Sequence, residues 1–124
     1  MYQDHTPLQA AGQLLLGAAF LASGLRNAFW TFAQHEKRMA ALRVPWPRAA
    51  LIGGLALLFA GALMLLADYE RQVGAALLLV FTALASAIFH RWWLIGDPLL
   101  RHLHIGNLMV NAGVAGGLLL VAAI

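Results

Sequence analysis

The sequence predicts an all-α protein, an integral membrane antiparallel four-helix bundle, and three observations predict it. The 124 residues are 62% hydrophobic and 10% charged, too apolar for a water-soluble domain of this length. The apolar residues fall into four stretches, at about 8–33, 49–67, 73–90 and 98–124, each suited to one helical crossing of the bilayer core. Read as crossings, the stretches place all four tryptophans (Trp30, Trp46, Trp92 and Trp93) and seven of the eight Lys and Arg residues on one side. Arg26, Lys37, Arg38, Arg43, Arg48, Arg91 and Arg101 border the first and third connections, whereas Arg71 alone marks the second. Cytoplasmic connections retain Lys and Arg, so both termini are expected on the noncytoplasmic side, with the tryptophans as interfacial membrane anchors.

The first span begins after Pro7, which suits a first helical turn because its missing N–H would be unpaired there anyway. Gln9, Gln13, Gly17, Gly24 and Asn27 share a narrow polar stripe at 3.6 residues per turn, while Arg26 projects to the flank and can snorkel to headgroups. It reads as an uncleaved span, because Met1 to Thr6 lack the basic residues of a secretory signal. Residues 34–48 form the longest connection and end at the rigid Pro45-Trp46-Pro47 corner. The second span, Ala49 to Ala67, carries no charge and no hydrogen-bonding side chain, so its role is expected to be structural.

Asp68-Tyr69-Glu70-Arg71-Gln72 is short enough only for a tight hairpin between antiparallel helices. The third span aligns Thr82, Ser86 and His90 at four-residue intervals on one face. Gly96-Asp97-Pro98 then reads as a turn, an N-cap and a first-turn proline. On the last helix His104, Asn107 and Asn111 share one face, and His102, Gly106, Gly113 and Gly117 lie roughly opposite. Small residues permit close helix approach, so the second face is the expected interface with another copy or a larger membrane complex.

The absence of cysteine excludes thiolate catalysis, disulfide exchange, iron–sulfur ligation and cysteine-held zinc. No paired carboxylates occupy a span, no serine sits in a nucleophile elbow, and no glycine-rich loop follows a strand to cradle phosphate. Self-contained catalysis is therefore not expected, and neither a catalytic residue nor a metal site is assigned. The net charge of +3 comes from cations bordering apolar spans, which fits anionic lipid and not nucleic acid. His5 and His35 read as ordinary loop residues.

Several short runs, taken in order, carry a resemblance. Gly17-Ala18-Ala19-Phe20-Leu21-Ala22-Ser23-Gly24, the Pro45-Trp46-Pro47 corner, the Gly53 to Gly61 span, Phe89-His90-Arg91-Trp92-Trp93 and Asn107-Leu108 with Gly113 together resemble the DoxX family of small four-span bacterial membrane proteins. The resemblance runs nearly the whole length, as a single domain over 1–124, and implies a bacterial cytoplasmic (inner) membrane location and association with membrane redox systems. Members often carry a lysine near Asn27 and a glutamate near Leu57, and this chain has neither charge.

Independently of the resemblance, Asn27, His90, His104, Asn107 and Asn111, with Arg26 nearby, gather toward the cytoplasmic leaflet. There they could meet a quinone or lipid headgroup whose tail stays in lipid. His90 and His104 are the preferred contacts; a haem held by two histidines is a second cofactor candidate. The plainer reading is that these groups bond one another and fix the bundle. The expected function is thus an accessory subunit of an oxidoreductase system, set against a structural subunit that anchors a larger complex without a redox ligand.

Overall fold

The computed structural model describes Tyr2 and residues 4–124. Helices α1 (Pro7–Phe29), α2 (Phe32–Ala41), α3 (Pro47–Leu66), α4 (Arg71–Phe89) and α5 (Pro98–Ala123) follow in order, with a 3₁₀ turn at Trp92–Leu94. Four of them, α1, α3, α4 and α5, are long and apolar enough to cross a membrane. Among the described residues there is no strand.

The helix starts follow local chemistry. Thr6 Oγ1 accepts from the Gln9 N–H at 3.1 Å and Gln9 Oε1 accepts from the Thr6 N–H at 2.9 Å, a reciprocal capping box ahead of Pro7. Asp97 Oδ1 accepts from the Leu99 and Leu100 N–H groups at 2.9 and 3.2 Å, the N-cap that the sequence implies for α5. Trp46, between the two prolines, turns the chain into α3 with left-handed backbone at φ 47°.

The first connection differs from the sequence expectation. The first span ends at Phe29 and not near residue 33, and ten residues read as loop form α2. Phe32, His35 and Met39 lie on one face of this helix, its alanine, lysine and glutamate residues favour helix, and Met39 is buried. Its polar face disguised it as a loop.

Packing follows chain order: α1 lies on α3, α3 on α4 and α4 on α5, while α1 and α5 touch over a smaller surface. Leu58, Leu65, Leu78 and Leu118 are fully buried. Between α3 and α4 the backbones approach closely. A Cβ at Gly61 would lie 2.7 Å from Leu78 Cγ, and one at Gly74 would lie 2.9 Å from Met64 Cβ, so glycine is required at both crossings.

The end of the bundle that holds the α1 start, the α3 end and the α4 start is tied by a polar cluster. Gln13, fully buried on α1, donates to the Leu65 carbonyl at 2.9 Å and to Asp68 Oδ1 at 3.0 Å. Tyr2 donates through its hydroxyl to the Leu65 carbonyl at 2.7 Å and through its backbone N–H to Asp68 Oδ2 at 2.9 Å. The last carbonyls of α3 thereby gain partners that its own backbone cannot supply. His5 donates from Nε2 to Gln13 Oε1 at 2.8 Å with its side chain wholly buried, so it is a packed member of the cluster and not an ordinary loop residue. Arg71 lies 3.6 Å from Asp68 Oδ1 and also donates to the Ile124 carbonyl oxygen.

Burial raises the Asp68 carboxyl, but the Gln13 amide, the Tyr2 N–H and the His5 and Arg71 charges outweigh it, leaving the pKa below the ordinary value. Burial first, and then the Asp68 charge, push the Tyr2 hydroxyl up.

Candidate functional site

At the opposite end the four long helices part around a cavity of about 860 Å³. The second half of α1, the first half of α3, the second half of α4 and the stretch of α5 from His104 to Val114 supply most of its walls, and α2 lies across its end. Phe20, Leu51, Leu55, Phe81, Ile88 and Val114 make most of the lining apolar. Its size falls within the range of about 300–1,000 Å³ typical of small-molecule sites.

The polar groups are few and grouped. His90, closing α4, and His104, on the second turn of α5, meet with their Nδ1 atoms 2.9 Å apart. A hydrogen bond between two imidazole nitrogens needs one N–H and one lone pair. When both rings are neutral, the donating ring keeps a bare Nε2 and the accepting ring carries an Nε2–H. The pair thus offers one donor and one acceptor whichever ring holds the shared proton. Two turns deeper along α4, about 12 Å by helical rise, the buried Thr82 Oγ1 lines the cavity with no hydrogen-bond partner among the described residues. Asn111 joins α5 to α4 by donating to Ser86 Oγ at 3.0 Å, and Asn27 accepts from the Thr31 hydroxyl at 3.1 Å.

Of the sequence-derived ligand candidates, His90, His104, Asn111 and Asn27 line the cavity. Arg26 and Asn107 do not; both are exposed on the outside of their helices. Leu57 lines the cavity along with Asn27, so the two departures from the family resemblance lie in the same chamber.

Two lining residues were missed. His35 and Arg38 reach the cavity from α2, where His35 donates from Nδ1 to the Thr31 carbonyl at 2.8 Å and Arg38 donates to the Phe89 carbonyl at 3.1 Å. Among the described residues, Arg38 is the one formally charged member of the lining. The signal that could have found them is the helical spacing of His35 and Met39, hidden by reading the segment as a loop.

The interface candidates divide. Gly117 faces Leu16 of α1, where a Cβ would sit 3.5 Å from Cδ1, so it serves contact within the chain. Gly106 and Gly113 have open space around them, and His102 is exposed. Trp30, Trp46 and Trp93 are exposed, and Trp92 lies under the Arg101 guanidinium at 4.8 Å from the ring centroid. All four belong to the cavity end, at the α1 end, the α3 start and the turn after α4.

The histidine pair does not suit a haem held between two axial ligands. Two imidazoles that ligate a haem from opposite sides have the macrocycle between them, so their Nδ1 atoms could not lie 2.9 Å apart as these do. A head that exchanges hydrogen bonds with one donor and one acceptor, carried on an apolar body, fits the arrangement.

Searches of curated proteins and of solved structures find no match to this chain. The DoxX family model matches residues 8–91, from the start of α1 to the arginine just after the histidine that closes α4, and leaves α5 outside the matched segment. With more than half of its length matched, and with four helices able to cross a membrane, the chain belongs to the DoxX family and fits a multi-pass membrane protein.

Proposed function

We propose that the protein is an accessory subunit of a membrane redox system and holds a quinone in the cytoplasmic-leaflet half of its bundle. The observation that carries this reading is an apolar chamber of about 860 Å³ whose polar end is the His90–His104 pair. The Nε2–H of the His90–His104 pair would donate to a head carbonyl, and its bare Nε2 would accept from a head hydroxyl once the quinone is reduced to the quinol; Asn27 and Asn111 would flank the head, and Phe20, Leu51, Phe81 and Val114 would line the tail. Thr82 offers an unpaired hydroxyl deeper in the same chamber. Bound there, a quinone would supply electron-carrying capacity that the side chains lack. The cations and tryptophans gathered at the cavity end support a cytoplasmic position for it, and the family resemblance supports the inner membrane.

Extraction in mild detergent, followed by native mass spectrometry and chromatographic quinone assay, tests the proposal. Stoichiometric quinone is expected in the wild type. Loss of one hydrogen bond costs about 0.5–1.5 kcal/mol, so His90→Ala or His104→Ala should each lower occupancy several-fold. Wild-type occupancy in a folded His90→Ala/His104→Ala variant would remove the proposed pocket.

The structural alternative draws on a different observation. Asn107 is exposed on a helix that is apolar enough to span the bilayer, and Gly106 and Gly113, on another face of that helix, have open space around them. A polar amide facing hydrocarbon is unfavourable until another chain pairs with it. Quinone-free protein that loses a partner chain on Asn107→Leu substitution would favour the anchoring role.

A further inference from the structure

We infer that the cavity opens sideways into the bilayer through the seam between α1 and α5, and that its occupant, a molecule dissolved in the membrane, enters and leaves by that route. The occupant's identity rests on the quinone reading; the seam does not.

On both helices a single face is covered at one level and bare at another. Around α1, Leu16, Phe20, Ser23 and Asn27 fall within an arc of about 60°, and all four line the cavity. Leu16 meets Gly117 of α5, where an added Cβ would sit 3.5 Å from Cδ1, whereas Ser23, two turns on, is exposed. Around α5, His104, Asn107, Asn111, Val114 and Leu118 share an arc of about 80°. Leu118 is fully buried and His104, Asn111 and Val114 line the cavity, yet Asn107 in their midst is exposed. No helix covers that arc at the level of Asn107, so it stands at the outer edge of the seam. The two helices touch near Leu16 and Gly117 and part toward the cavity end, leaving a gap that runs roughly 16 Å along α1 from Leu16 to Asn27.

The other seams are closed or braced. A Cβ at Gly24 would lie 2.7 Å from Leu58 Cδ2, so α1 stays tight on α3 beside the cavity. Two side-chain hydrogen bonds join α4 to α5. Between α3 and α4 the crossing at Gly61 and Gly74 closes one end, and Arg38 of α2 bonds the Phe89 carbonyl at the other. Among the described residues α2 contacts α1, α3 and α4 but not α5. The seam between α1 and α5 therefore has neither a close crossing in the cavity half nor a brace over its end.

A gap that faces acyl chains admits what dissolves in them. Ala19 and Ser23 are small, exposed and part of the lining, which puts them where cavity and bilayer meet. A charged molecule would have to shed its water to pass there, whereas an uncharged head on an apolar tail would not. The tail can remain partly in lipid while the head is inside.

Wild type and two double variants in phosphatidylcholine vesicles test the route. Ser23→Phe/Asn107→Phe places two rings in the seam at exposed positions, and Ser23→Ala/Asn107→Ala removes the same polar groups without adding bulk. With quinone bound, mass spectrometry follows its replacement by deuterated ubiquinone supplied in the vesicles. The phenylalanine variant should exchange roughly tenfold or more slowly, the range set by overpacking a passage, and the alanine variant at the wild-type rate. In quinone-free protein, a light-activated aryl diazirine dissolved in the vesicles reads the seam without quinone. Leu51 and Leu55 of the lining should be labelled in the wild type and lose most of that label in the phenylalanine variant, while the outward Leu103 and Met109 keep theirs. A quinone-free wild type whose lining is labelled in this way would remove the quinone reading and leave the window standing. Wild-type exchange or wild-type labelling of the lining in the phenylalanine variant would overturn the window, as would an unlabelled lining in quinone-free wild type.

Discussion

The two ends of the bundle solve the same problem in opposite ways. At the Asp68 end, Tyr2, His5, Gln13 and Arg71 tie the termini of α1, α3, α4 and α5 together, and Gly61 and Gly74 let α3 and α4 approach closely. At the α2 end, two side-chain pairs join α4 to α5, His90 with His104 and Asn111 with Ser86, and the cavity separates the other walls. Glycine shows the contrast within one helix. Gly61 has no room for a methyl group, whereas Gly53 and Gly54 line the cavity, and a Cβ at either would meet nothing within 4 Å. One end is built for contact, and the other keeps space.

The largest expected effect breaks the closed end. Gly61→Val places branched carbon where a Cβ would already be 2.7 Å from Leu78, and overpacking of this kind costs about 1–3 kcal/mol or more. Gly53→Ala should instead be neutral or stabilising by up to about 1 kcal/mol, because alanine favours the helix and meets nothing. Thermal unfolding of both variants in one detergent checks the pair. Equal destabilisation would show that the two ends are packed alike.

Next in size is the polar cluster. Gln13→Leu leaves the Leu65 carbonyl and Asp68 short of a donor and should cost about 1–3 kcal/mol. The Asp68 carboxyl adds a pH dependence, since its folded pKa lies below the unfolded value. Its stabilisation is complete above the usual carboxylate range and is lost as pH falls through the depressed folded value. Asp68→Asn should therefore be less stable than wild type near neutrality and should approach it in acid. A stability gap independent of pH would separate Asp68 from the acid response.

How much of this was legible follows from the same contrast. The four spans and the shared end of the tryptophans came from hydropathy and cation placement, which depend on composition alone. The α1 stripe was legible too: Gln13, Gly17 and Gly24 are its buried residues, the latter two against α3 side chains. The meeting of His90 and His104 followed from short connections between aligned stripes. The role of His5 was illegible, because its partners Gln13 and Asp68 are set by how three termini converge and not by local spacing. Helix α2 was hidden because one buried methionine gives little apolar periodicity, and with it went His35 and Arg38.

The smallest effect sharpens what holds the open end. Asn111 donates to Ser86 Oγ at 3.0 Å across α4 and α5, at the level between Thr82 and His90 along α4. Hydrogen bonds between transmembrane helices average only about 0.6 kcal/mol, because the separated helices also find partners within the membrane. A double-mutant cycle of Asn111→Leu and Ser86→Ala should return a coupling of that order, close to the resolution of detergent unfolding. Ligand occupancy gives the more sensitive reading, since Asn111 lines the cavity while Ser86 does not. If the bond only fastens helices, the two single variants should lower occupancy equally. If Asn111 also touches the bound head, Asn111→Leu should lower it further than Ser86→Ala. The cavity end would then owe its shape to contacts with its occupant as well as to contacts between its helices.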